Sequence, residues 1–127
     1  KRRQSTFFNG ASYISQKAAY STYFPKAQKI IKKNISYYME NANIITNFLK
    51  NQNIKYYGGT NSPYIFVKIP LNIDDWDFFD LLLNNYGIVV TPGVGFGTNG
   101  KNYIRITCFG KKEDYLLALN RLKKAWM

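Results

Sequence analysis

The stretch Gly87 to Gly110, GIVVTPGVGFGTNGKNYIRITCFG, constrains this chain more than any other. It reads as strand, glycine-rich loop, strand, with a helix straight after. Ile88, Val89 and Val90 form a short β-branched run, which predicts a buried strand. Gly93, Gly95, Gly97 and Gly100 permit backbone conformations and close approaches that other residues resist. From Tyr103 to Phe109 the chain alternates. Tyr103, Arg105, Thr107 and Phe109 share one face, and Ile104, Ile106 and Cys108 the other. An arginine in mid-strand between two isoleucines must either reach solvent at the sheet rim or meet an anion.

Two generic glycine-loop patterns do not fit. Gly95-x-Gly97-x-x-Gly100 matches a dinucleotide-binding fingerprint, but that fingerprint needs a helix opening at the loop to meet the pyrophosphate. Here a strand follows. A kinase loop does lie between strands, but its Val-Ala-Ile-Lys, His-Arg-Asp and Asp-Phe-Gly companions are absent, and the chain has no histidine.

Helical periodicity dominates the first half. Ala11 to Phe24 predicts a helix, which Pro25 ends while opening the next. Asn9 or Ser12 would cap the first of these helices. From 26 to 50, Ala27, Ile30, Ile31, Ile35, Tyr38, Ala42, Ile45, Phe48 and Leu49 recur at helical spacing. Short strands follow at Ile54 to Tyr57 and Tyr64 to Ile69, separated by the Gly58-Gly59 turn. Asp74, Asp75 and Asp77 crowd a helix start. They could mark metal or acid–base chemistry, but N-terminal capping is the favoured reading. Trp76, Phe79, Leu82 and Leu83 would face inward on that helix, which Gly87 ends. Lys111 to Trp126 predicts the last helix, with Tyr115, Leu119, Leu122 and Trp126 inward.

Charge and cysteine content narrow the function classes. With 127 residues the chain suits one modest domain. Its net charge of +11, with eleven Tyr and nine Phe, could suit a basic nucleic-acid-binding module. However, the lysines are scattered over helix surfaces, as at Lys26, Lys29, Lys32 and Lys33, which favours solvated faces and no nucleic-acid partner. The single cysteine, Cys108, excludes an internal disulfide and offers no metal set. A buried thiol is expected there. No apolar run approaches the roughly 20 residues of a membrane helix, and the start carries no signal-peptide pattern, so an intracellular protein without a membrane partner is expected.

Several motifs point further. Thr-Pro-Gly-x-x-Phe-Gly, a strand bearing Arg105, then Phe109-Gly110 and a terminal helix resemble the C-terminal domain of fold type I pyridoxal-phosphate aminotransferases. The segments Phe8-Asn9-Gly10-Ala11-Ser12 and Gly58-Gly59-x-Asn61-x-Pro63-Tyr64 resemble the LL-diaminopimelate aminotransferase group, with Ser62 where alanine is usual. The resemblance runs from Gln4 to about Lys124.

That resemblance implies an α/β domain in which a three- to four-stranded, largely antiparallel sheet packs against helices. It implies residues 1–24 as a helical segment linking from a large cofactor-binding domain, and 25–127 as the C-terminal small domain. The implied reaction moves an amino group between an amino acid of the LL-diaminopimelate or glutamate type and a 2-oxo acid. Pyridoxal 5'-phosphate is the implied cofactor, its ring the electron sink. Arg105 would hold the substrate α-carboxylate. Asn9 would reach cofactor and substrate in the neighbouring subunit of a homodimer, in place of the capping role. The Schiff-base lysine would lie in a preceding N-terminal part of the same protein, so these residues alone are expected to be inactive. A class I/II aminotransferase of other specificity, and a non-catalytic domain that keeps the fold, are the alternatives within the family.

Overall fold

The computed structural model describes residues 2–7 and 10–126. The chain divides into two compact units, Lys1–Ser36 and Tyr37–Met127.

The first unit is helical. Helix α1 spans Arg2–Phe7 and α2 spans Tyr13–Ser21. Ser12 is the N-cap of α2, its hydroxyl accepting from the Ser15 backbone N–H at 3.2 Å. This satisfies one of the N–H groups that a helix start leaves orphaned. The helix expected over Ala11 to Phe24 is therefore shorter at both ends. Ser12 caps it, and beyond Ser21 the chain turns, with Thr22 donating its hydroxyl to Ala19 O at 2.7 Å. No residue of α2 is buried; Ile14 is 80% and Tyr13 71% exposed. Helix α3, Pro25–Asn51, begins in this unit at the proline, whose fixed φ suits a first turn.

In the second unit the remainder of α3 buries Asn41, Ala42, Ile45, Thr46 and Leu49. A four-stranded antiparallel sheet follows the order β1-β2-β4-β3, with β1 Tyr56–Gly58, β2 Tyr64–Lys68, β3 Thr91–Pro92 and β4 Tyr103–Thr107. Helices α4 (Asp75–Tyr86) and α5 (Lys112–Ala125) complete it. This is the expected α/β architecture. Alternation sorts the sheet into two faces. Ile65, Val67 and Ile104 are fully buried in one core with Ile45, Leu49, Phe78 and Leu82. Burying each such side chain contributes roughly 1.5–3 kcal/mol. Tyr64, Phe66, Tyr103, Arg105 and Thr107 take the other face.

Two expectations are corrected. Ile88 to Val90 is not a strand. Gly87 adopts a left-handed φ of 61° and closes α4; its N–H donates to Leu83 O and that of Ile88 to Leu82 O at 3.0 Å. That closure is a left-handed glycine cap, so Ile88 is occupied by the helix end, and Val89 is 74% exposed. Strand pairing starts at Thr91 and stops at Pro92, opposite Arg105 and Ile104; proline has no N–H to extend it. On α4 the inward residues are Asp75, Phe78 and Leu82, whereas Trp76 is 56% and Leu83 39% exposed. Of the four residues expected inward, Leu82 is buried and Phe79 packs against the core, while Trp76 and Leu83 turn outward because Asp75 is drawn inward. The other strands and α5 lie within two residues of their expected bounds.

A buried amide pins the end of β4. Asn41 Nδ2 donates to Cys108 O at 3.1 Å and to Gly110 O at 3.0 Å. Cys108 itself is fully buried, and burial pushes its thiol from the ordinary 9.0 to about 11. Because the folded value lies above the unfolded one, the stability held by the neutral thiol is full below pH 9 and is lost as pH climbs toward about 11. Urea titrations from about pH 8 to pH 10.5 should show a falling midpoint that flattens in Cys108→Ala. Native Cys108 should also resist alkylation that the unfolded chain undergoes readily; equal rates would contradict the burial.

Candidate active site

The glycine loop between β3 and β4 folds as two short 3₁₀ turns, Gly93–Phe96 and Thr98–Gly100. Gly93 and Gly100 are glycine for lack of room. A Cβ on Gly93 would come 2.6 Å from Tyr103 O, and one on Gly100 would come 2.6 Å from the Gly93 carbonyl carbon. The two turns therefore pack backbone against backbone.

Asp75 holds this loop from α4. Its carboxylate is fully buried; Oδ2 accepts from Val94 N–H at 2.9 Å and Oδ1 from Asn102 N–H at 2.6 Å. Asn102 sits at a left-handed φ of 67°. The helix cap is its neighbour Asp74, which accepts from Trp76 N–H at 3.0 Å. Capping is thus the role of Asp74, while Asp75 does something the aspartate cluster did not reveal. Its helical phase with Phe78 and Leu82 was the available signal. Among the described residues no group of His, Cys, Asp or Glu could hold a metal ion.

Arg105 lies on β4, opposite Phe66 on β2 and Thr91 on β3. It is half-buried. Its Cζ is 4.8 Å from the Tyr64 ring centroid and 4.5 Å from that of Phe96, on the glycine loop. Its Nε is buried without a hydrogen-bond partner. No carboxylate among the described residues lies within 4.0 Å of it; Glu113 and Asp114, the acids within sequence reach, are exposed in the first turn of α5. A cation so placed retains donors for an anion.

A cavity of about 600 Å³ opens on this face, lined among others by Tyr57, Ser62, Tyr64, Phe66, Phe96 and Tyr103. At its rim, interaction with the Lys55 ammonium holds the exposed Tyr57 phenol below its ordinary pKa. A second cavity, about 410 Å³, lies between α5 and residues 87–90; Arg105 lines neither cavity, though Tyr64 and Phe96 beside it line the first. Asn9 lies outside the described residues, so Arg105 is the one expected site residue whose surroundings are described.

Residues 2–122 match the family described as aminotransferase class I and II. The chain belongs to that family. It is 53% identical over 124 residues to the LL-diaminopimelate aminotransferase of Lawsonia intracellularis, covering 98% of this chain and 30% of that protein. It is 48% identical to that of Bacteroides fragilis, with 96% and 30% covered. The solved L,L-diaminopimelate aminotransferase from Chlamydomonas reinhardtii superposes with a TM-score of 0.89 at 36% identity, over 99% of this chain and 31% of that one. A Methanococcus jannaschii protein, described as similar in its active site to kynurenine aminotransferases, superposes at 0.88 with 28% identity, over 99% and 34%. The chain thus spans about 30% of the length of the curated relatives it matches. No helix among the described residues is long and apolar enough to cross a membrane.

The aminotransferase loop depends on Asp75 accepting two bonds at once. Asp75→Asn turns one acceptor into an N–H₂ that faces a backbone N–H. Leaving buried donors unmatched should cost about 2–4 kcal/mol, read as a lower denaturation midpoint. A change below about 0.5 kcal/mol would show that the loop stands without the carboxylate.

Proposed function

We propose that this chain is the C-terminal part of a pyridoxal-phosphate aminotransferase. The reaction moves an amino group between an amino acid of the LL-diaminopimelate or glutamate type and a 2-oxo acid. Arg105 binds the substrate α-carboxylate. The observation that carries the reading is the state of this arginine: half-buried on an open sheet face, with an unpartnered buried Nε and no acid beside it among the described residues. The planar guanidinium matches a carboxylate with two parallel hydrogen bonds. The similarity to LL-diaminopimelate aminotransferases supports the substrate class.

Pyridoxal phosphate supplies the electron sink when bound. It also needs a lysine that can join its aldehyde. Residues 1–127 span about 30% of the curated relatives' length, and in this reading they supply the carboxylate end of the substrate site and not the cofactor lysine. The seat of the cofactor, with its lysine, belongs to a preceding part of the same protein, and residues 1–127 alone are inactive. In this reading residues 1–24 link from the large domain to the small domain at 25–127. The exposed Tyr13, Ile14, Tyr20 and Tyr23 suit such a covered segment. Asn9 reaches cofactor and substrate in the neighbouring subunit of a homodimer.

In the complete enzyme, Arg105→Lys keeps the charge and loses the fork. It should cost on the order of 2–5 kcal/mol, roughly thirty- to several-thousand-fold in kcat/KM, with cofactor absorbance and thermal midpoint retained. A kcat/KM within a few-fold of wild type for both substrates would sink the carboxylate assignment.

The role of Asn9 is tested by coexpressing an Asn9→Ala subunit with one lacking its Schiff-base lysine. If Asn9 acts across the dimer, both defects fall in one site of the mixed dimer and the other site stays intact, so partial activity returns. No recovery means that Asn9 acts within its own subunit.

A further inference from the structure

Among the described residues Arg105 is held by aromatic rings and by no acid, and that kind of support has a chemical consequence. We infer that Tyr64 and Phe96 are positioning residues for the carboxylate anchor, a role that rests on the Arg105 reading. Both ring centroids lie within 5 Å of the guanidinium carbon, at 4.8 and 4.5 Å. Such distances fall well inside the roughly 6 Å range of cation–π attraction.

An aromatic support differs from an ionic one in what it leaves over. A neighbouring carboxylate would orient the guanidinium by occupying two of its N–H donors and cancelling its charge. A ring face orients the plane through its quadrupole and consumes no donor. Arg105 is thereby fixed on the sheet without any of its donors being taken by an acid among the described residues.

The two rings are themselves braced. Tyr64 meets Phe109 edge to face at 5.4 Å, and Phe109 meets Tyr38 likewise at 5.0 Å. Phe96 meets Phe66 at 5.4 Å and 75°. Phe66 is the residue paired across the ladder from Arg105. Phe96 lies on the turn whose Val94 N–H is taken by Asp75. The anchor is thus supported from β2 through Tyr64 and from the glycine loop through Phe96.

The test uses the complete holoenzyme and glutarate, a dicarboxylate with no amino group, as competitive probe. Arg105→Gln examines the anchor itself. If its glutarate Ki stays within about twofold of wild type, the Arg105 reading fails and the positioning role fails with it. Given an impaired Arg105→Gln, Tyr64→Leu and Phe96→Leu should each raise glutarate Ki and substrate KM roughly 3- to 30-fold, with kcat changed far less. Tyr64→Phe and Phe96→Tyr keep the ring and should recover most of that loss. In the Arg105→Gln background, Phe96→Leu should add under about twofold, because its effect runs through the guanidinium. Leu variants that raise Ki less than about twofold, or act equally with Arg105 absent, overturn the positioning role and leave the anchor standing.

Should the leucine variants not fold, fluorinated phenylalanines at position 96 keep the shape and drain the ring face of electron density. Ki should then rise stepwise with fluorination. A flat series overturns the inference.

Discussion

The carboxylate of Asp75 takes backbone N–H groups from both ends of the glycine loop, Val94 at 2.9 Å and Asn102 at 2.6 Å. A buried carboxylate is stable only when its oxygens are matched, and here both are. The bond pair does two things at once. It sets the rotational phase of α4, so that Asp75, Phe78 and Leu82 point inward. It also closes the loop onto the start of β4, leaving Gly93 and Gly100 no room for a side chain. Helix phase, loop shape and the entry into the strand that carries Arg105 therefore share one interaction.

The open face of the sheet has a complementary logic. Arg105 stands among rings, and the described residues bring no acid to it. Its positive charge is kept in place by attraction to ring faces, which is weaker than an ion pair but leaves the hydrogen-bonding edge free. Under the proposed carboxylate role, that division would leave the donors to the substrate.

Much of the architecture was legible beforehand because periodicity and punctuation are local. Pro25 opens α3, Gly58 and Gly59 take positive φ in the hairpin, and Gly87 ends α4 in a left-handed conformation. The alternation from Tyr103 put Ile104 and Cys108 inside and Arg105 on the opposite face, and the structure agrees. What failed were judgements that depend on distant partners. Ile88 to Val90 has strand composition, but Ile88 is claimed by the helix end. Trp76 and Leu83 are apolar enough for a core, yet a polar residue took the inward position.

By itself, then, the sequence determined most element types, their approximate bounds, the fold class and, through its motifs, the aminotransferase family. Periodicity and turn residues are read from neighbours within a few positions of one another. Only the tertiary structure decided which aspartate is buried, which side of α4 faces inward, and what surrounds Arg105. Asp75 meets Val94 and Asn102, and Arg105 meets Tyr64 and Phe96, across tens of residues or a chain reversal. Burial and hydrogen-bond satisfaction are properties of three-dimensional neighbourhoods, and no spacing along the chain encodes them directly.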